Sequence, residues 1–156
     1  MSQALRVGDR VPSFTLPDQD GKPFRLEEAL GRGPLVLFFY PKDETPGCTK
    51  EVCSFRDASA EFLEAGAVVA GVSSDDVASH RRFADKHRLP YPLLSDAQGA
   101  LRAQLGVPRG LLGLADGRVT YVIDKNGVLR HRFESSLRFA KHVDEALETV
   151  RSLGKS

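Results

Sequence analysis

Apolar residues recur along this chain in two rhythms. LVLFFY (Leu35 to Tyr40), bounded by Pro34 and Pro41, and VVAGVS (Val68 to Ser73) are short unbroken runs, as expected of strands buried on both faces of a parallel sheet. Between them, Cys48 to Glu64 places Val52, Phe55, Ala58, Ser59 and Phe62 at helical spacing, and Gly66 stands where a helix commonly ends. This predicts a βαβ unit. Upstream, Phe14 to Leu16 and Phe24 to Leu26 flank the turn-rich DQDG and predict a small hairpin packed at an edge. Downstream, Asp75 or Asp76 caps a predicted helix running to about His87, LPYPLLSD contains a short strand, and Gln98 to Leu105 forms a brief helix. Arg118 to Ile123 and Val128 to Arg132 are joined by DKNG, whose Asn126 and Gly127 tolerate the positive φ of a tight turn. Arg138 to Leu153 is predicted helical, with a stripe of Phe139, Val143, Ala146, Leu147 and Val150.

These elements predict one α/β domain over residues 1–156, with a thioredoxin-like fold as the best fit: a central mixed sheet flanked by helices, with an N-terminal β-hairpin. Periodicity alone also admits other α/β folds. The length suffices for a core without covalent staples. With 22 basic and 21 acidic residues spread along the chain, nothing marks a nucleic-acid or membrane surface. The longest apolar run is too short to span a bilayer, and MSQALRVGDRVPSF lacks the apolar core of a secretory leader. The expectation is a cytoplasmic protein.

The chemistry concentrates at Cys48 and Cys53, the only two cysteines. In a compartment that keeps thiols reduced, a disulfide between them would be transient and catalytic. Cys48 ends the stretch PKDETPGC, where a buried strand gives way to a helix. At a helix start, unpaired backbone N–H groups and the positive end of the dipole favour thiolate over thiol. An inert buried cysteine is the plain alternative, and it suits Cys53, beside Val52, better than Cys48 after Pro46 and Gly47. Residues five apart in a regular helix have Cα atoms separated by roughly 8 to 9 Å, whereas a disulfide needs less than about 7 Å. Pairing of Cys48 with Cys53 therefore demands that the first turns unwind. The four histidines (His80, His87, His131, His142) are scattered and stand at no metal-finger spacing from the cysteines, and the CxxC motif is absent. Lys50, Glu51 and Arg56 read as a charged helix face.

The run FFYPKDETPGCTKEVCSFRD, Phe38 to Asp57, resembles the peroxiredoxins, and among them the Q subgroup, also called bacterioferritin comigratory proteins. It contains the family's PxxxTxxC signature as Pro41, Thr45 and Cys48, with the subgroup's second cysteine five residues on. Similarity continues through GVSSDD, LPYPLLSD and RVTYVIDKNG, covering nearly the whole chain.

The resemblance implies a thiol-dependent peroxidase acting on hydrogen peroxide and organic hydroperoxides. In it Cys48 is the peroxidatic cysteine, which becomes sulfenic acid, and Cys53 resolves it to a disulfide. Thr45 accepts from the peroxide and steers it, Pro41 shields the thiolate, and Arg118 stabilises thiolate and developing charge. Arg109, in GVPRG, is the rival arginine. Thioredoxin or a similar dithiol is the implied reductant, no cofactor or metal is implied, and a monomer is expected, with a dimer as the alternative. A redox sensor or thiol-exchange module on the same fold is the second functional class. The segment GVPRGLLGLADGR lacks the aromatic and lysine-rich character of many relatives, and Val52 replaces a frequent alanine.

Overall fold

A computed structural model describes residues 5–107, 118–135 and 138–154 of the chain. The N-terminal hairpin forms as a separate two-stranded antiparallel sheet of β1 (Thr15–Pro17) and β2 (Pro23–Arg25), followed by the short helix α1 (Leu26–Leu30). The two apolar runs become β3 (Leu35–Phe39) and, after helices α2 (Pro46–Asp57) and α3 (Ser59–Glu64), β4 (Val68–Ser73). They pair in parallel, with Leu35 opposite Val68. Helix α4 (Val77–His87) leads to β5 (Leu93–Ser95), which adds parallel to β4, and α5 (Ala100–Leu105) follows. The predicted second hairpin is β6 (Val119–Ile123) and β7 (Leu129–Glu134), and α6 (Phe139–Leu153) closes the chain. The strand order β5-β4-β3-β6-β7 gives a mixed sheet in which β6 runs antiparallel to β3.

Central β3 divides the core. Val36, Phe38 and Tyr40 face one side with Cys48, Val52, Phe55, Phe83 and Val143, while Leu35, Leu37 and Phe39 face the other with Phe14, Leu26, Leu101 and Leu105. This two-faced burial is why the strand reads as a continuous apolar run. The rings of Phe38 and Phe55 stack at 4.2 Å, and burying a ring of this size stabilises by about 2 to 3 kcal/mol. Phe55 thereby fixes α2 on the sheet and sets where Cys48 lies.

Two local readings need correction. The single helix from Cys48 to Glu64 is two helices, because Ala58 leaves helical geometry (φ −95°, ψ 6°). The adjacent Ser59 hydroxyl donates to the Phe55 carbonyl at 3.2 Å, a serine bond to the preceding turn that bends helices. At the end of α3, Gly66 (φ +80°) does act as the stop, with Gly66 N donating to Leu63 O and Ala67 N to Phe62 O. In the DKNG turn only Gly127 adopts positive φ, because the Asp124 carboxylate accepts from the N–H groups of Asn126 and Val128 and shapes the turn itself. Of the two aspartates expected to cap α4, Asp76 does so, accepting from Ser79 N at 2.8 Å.

Candidate active site

The site is built at the N-terminus of α2, beneath the end of β3. Thr45 is the N-cap, Pro46 takes the first helical position, where its missing N–H costs nothing, and Cys48 follows on the first turn. No side chain caps this end and its first turn holds no acidic residue, so the dipole field at Cys48 is not offset locally. Cys48 is fully buried, because the helix turns its face of Cys48, Glu51, Val52 and Phe55 into the core.

Arg118, just before β6, reaches this buried sulfur. Its Nη1 donates to Cys48 Sγ at 3.3 Å and to Glu51 Oε1 at 3.2 Å, and its guanidinium lies 4.9 Å from the centre of the Phe139 ring. Gly47 makes room for it. A Cβ at that position would stand 2.8 Å from Arg118 Nη2 and 3.3 Å from Phe139. The glycine of TPGC is thus needed for close approach of the guanidinium. Arg109, the rival arginine, and most of the Gly106 to Arg118 loop lie outside the described residues.

Thr45 donates its hydroxyl proton to the Lys42 carbonyl at 2.8 Å, which leaves the oxygen lone pairs as acceptors. Pro41, half-buried, begins the loop that carries Thr45. That loop is held from below by a buried network. Asp43 accepts from Tyr40 Oη at 2.6 Å and Ser79 Oγ at 2.9 Å, its other close partner is His80 Nδ1 at 2.7 Å, and its own N–H donates to Asp75. Glu44 beside it takes φ +69°, a left-handed conformation uncommon for a non-glycine residue, and pairs with Lys86 at 3.1 Å. Asp43, Asp75 and His80 stand close enough to hold a metal ion. Their facing atoms are already engaged, however, with Ser73 donating to Asp75 and His80 Nε2 donating to the Leu94 carbonyl. The cluster reads as scaffolding for the loop.

Glu51 is the residue the sequence reading misplaced. Instead of sharing a solvated face with Lys50 and Arg56, it is fully buried, and its Oε2 has no hydrogen-bond partner. Burial pushes its carboxyl up to about 7, against the opposing pull of the Arg118 guanidinium. His142 Nδ1 lies 3.8 Å from that oxygen. Its ring is spanned by Thr120 Oγ1 at 2.7 Å and the Ser135 carbonyl at 2.9 Å, and burial lowers its pKa, so it offers Glu51 no compensating charge. The spacing of Glu51 from Cys48 and Phe55, at three and four residues, was the available signal.

Cys53 occupies the same helix and a different setting. It is half-buried, it is a free thiol like Cys48, and its Sγ lies 3.7 Å from His87 Nδ1 at the end of α4. Both cysteines belong to one helical segment, so the separation expected of positions five apart applies and the two sulfurs are not bonded.

Comparison with known proteins agrees with this geometry. The family model described as AhpC/TSA matches residues 7–132. A chloroplastic peroxiredoxin Q of Populus jackii is 50% identical over 149 residues, which cover 96% of this chain and 70% of the relative. Among solved structures, the peroxidoxin BcpB of Mycobacterium tuberculosis superposes with a TM-score of 0.90 at 48% identity, covering 96% of this chain and 98% of that one. The bacterioferritin comigratory protein of Xanthomonas campestris, which has alkyl peroxide reduction activity, gives 0.80 at 33% identity, covering 90% of this chain and 92% of its own. The expected cytoplasmic location is overturned, since the Populus relative and other plant relatives of similar identity are chloroplastic. Composition and the cysteine count bear on the redox conditions a chain tolerates and do not name its compartment. No helix among the described residues is long and apolar enough to cross a membrane. With a thioredoxin-like mixed sheet, a buried thiol under an arginine and these relatives, the chain belongs to the AhpC/TSA family, within its peroxiredoxin Q branch of thiol-dependent peroxidases.

Proposed function

We propose that the peroxidase reaction runs at Cys48 and is resolved by Cys53. The thiolate sulfur attacks the distal oxygen of a hydroperoxide, the O–O bond breaks, and the alcohol or water leaves after taking a proton, with Cys48 as sulfenic acid. The contact between Arg118 Nη1 and Cys48 Sγ at 3.3 Å carries this reading. A fixed guanidinium there favours the negative sulfur and meets the charge that develops on the peroxide oxygens. Thr45, its proton committed to Lys42, accepts from the peroxide and aligns it, and Pro41 limits water at the sulfur.

Cys53 then attacks the sulfenic sulfur after the start of α2 unwinds, giving an intramolecular disulfide, and a thioredoxin-type dithiol reduces it by exchange. Both thiols lie in one chain, which supports a monomer as the working unit, in one domain over residues 1–156. Hydrogen peroxide and organic hydroperoxides are the substrates; neither a nucleic-acid nor a membrane surface enters this reading.

The test is intact mass and free-thiol count after one equivalent of hydrogen peroxide, on wild type and Cys48→Ser, with dithiol-coupled turnover on the same samples. Loss of two hydrogens and both thiols in wild type alone, with sustained turnover, is expected. Oxidation without turnover would point to a redox sensor, and absence of rapid oxidation would reject both.

A further inference from the structure

The two halves of α2 are held differently: Arg118 reaches side chains of the first half, Cys48 and Glu51, whereas the half that bears Cys53 is tied to the end of α4 and to Tyr91. Arg56 Nη1 donates to the His87 carbonyl at 3.0 Å, and Tyr91 Oη donates to the Val52 carbonyl at 2.7 Å. These bonds bracket Cys53 and hold it against the end of α4, where His87 Nδ1 lies 3.7 Å from its sulfur, within hydrogen-bonding range for a thiol. The His87 ring is braced edge-to-face on Phe83, with centroids 5.0 Å apart. At the Cys48 end, by contrast, no side chain caps the helix and Pro46 begins it.

We propose that His87 is the base for disulfide closure, taking the Cys53 proton, and that α2 opens from its Cys48 end while Cys53 stays on the imidazole. This rests on the reading of Cys53 as the resolving thiol. With its own proton on Nε2, the ring presents the Nδ1 lone pair to the thiol. In the step, the S–H bond of Cys53 breaks and its proton passes to His87 Nδ1. The Cys53 sulfur then gives two electrons to form the S–S bond, the S–O bond of the Cys48 sulfenic acid breaks, and the oxygen leaves as hydroxide that takes a proton to become water. Cys53 is oxidised and the sulfenic sulfur is reduced, so the step needs no further reagent.

The other ionisable groups around the pair leave this role to the imidazole. Arg56 is a cation occupied by the His87 carbonyl and Asp57, and Lys86 pairs with Glu44. Tyr91, facing from beyond α4, has its phenol held well above the ordinary value by burial and the nearby Cys53, so it stays protonated.

The experiment is rapid-mixing oxidation of the full chain with one equivalent of hydrogen peroxide across pH 5.5 to 9.5, following sulfenic acid formation and then disulfide closure by quenched mass. His87→Gln removes the base, and His87→Phe removes it while keeping a ring against Phe83. Both variants are expected to form sulfenic acid at the wild-type rate and to close the disulfide about 100-fold more slowly at pH 7, the low end of what a positioned base contributes. The deficit should shrink toward pH 9, where thiols ionise unaided. Wild-type closure in either variant at pH 7, or a deficit unchanged across pH, overturns the proposal. Cys53→Ser in parallel separates the two readings. If it stalls at sulfenic acid while the His87 variants close normally, only the role of His87 fails; if it turns over with dithiol like wild type, Cys53 is not the resolver and both fall.

Discussion

The two ends of α2 hold chemically identical thiols in opposite settings. Cys48 is fully buried, touches a guanidinium that is charged at every accessible pH, and lies on an uncapped helix start. Cys53 is half-buried, beside the His87 imidazole, on a stretch tied to α4 and to Tyr91. Two identical sulfurs on one helix thus meet different electrostatic surroundings. In the proposed reaction, a fixed guanidinium suits the thiol that meets peroxide first. The His87 imidazole, the proton acceptor of the proposed closure step, suits the thiol that acts second.

The largest expected effect falls on the thiols themselves. Cys48→Ser is expected to abolish peroxide consumption, whereas Cys53→Ser retains one round of reduction and accumulates sulfenic acid. Equal multiple-turnover rates for wild type and Cys53→Ser in a dithiol-coupled assay would erase the distinction between the two ends. Next, Arg118→Ala is expected to slow the reaction with peroxide by about 100-fold, the scale for removing one charge-stabilising donor. Circular dichroism should stay native, since the guanidinium is at the site's edge and not in the apolar core. An unchanged rate would shift the role to Arg109 or another group.

Glu51 sharpens the contrast through stability. Its carboxyl is raised from an ordinary value of 4.5 to about 7, so between those limits the folded chain keeps a proton that the unfolded chain has released. Stability therefore falls as pH rises from 4.5 to about 7 and is level above. Glu51→Gln is expected to flatten that slope and to gain on the order of 3 kcal/mol at pH 8. Denaturant titrations at pH 5 and pH 8 check it, and parallel losses in both proteins would contradict a buried Glu51. The smallest effect is that of Gly47→Ala. The added methyl meets the movable tip of Arg118, so the melting temperature should hold while peroxide reactivity drops about tenfold, as a displaced donor loses part of its contribution. A wild-type rate would mean that the guanidinium has another route to the sulfur.

Much of this was legible in the order of residues. LVLFFY and VVAGVS announced buried strands, Asp76 and Gly66 punctuated helices, and PKDETPGC placed Cys48 at a helix start, because each depends on local pattern or on a family signature. Arg118 was reachable only through resemblance, since 70 residues separate it from Cys48 and only the pairing of β6 with β3 brings it near. Asp43, His80 and His142 went unread for the same reason. Glu51 was misread because a carboxylate between Lys50 and Arg56 suggests solvent, while its helical register with Cys48 and Phe55 pointed inward. The break at Ala58 left no composition signal, as alanine favours helix and Ser59 acts through one side-chain bond.

That break has a mechanical consequence. Helix melting spreads along an uninterrupted ladder of hydrogen bonds, and the turn at Ala58 ends the ladder of α2 after twelve residues. In the proposed reaction, opening at Cys48 is confined to a short hinged panel, while α3 stays clamped on β4 by Phe62 and the Gly66 stop. The proposed excursion is thereby insulated from the sheet, so that α2 flexes without loosening the frame to which it must return.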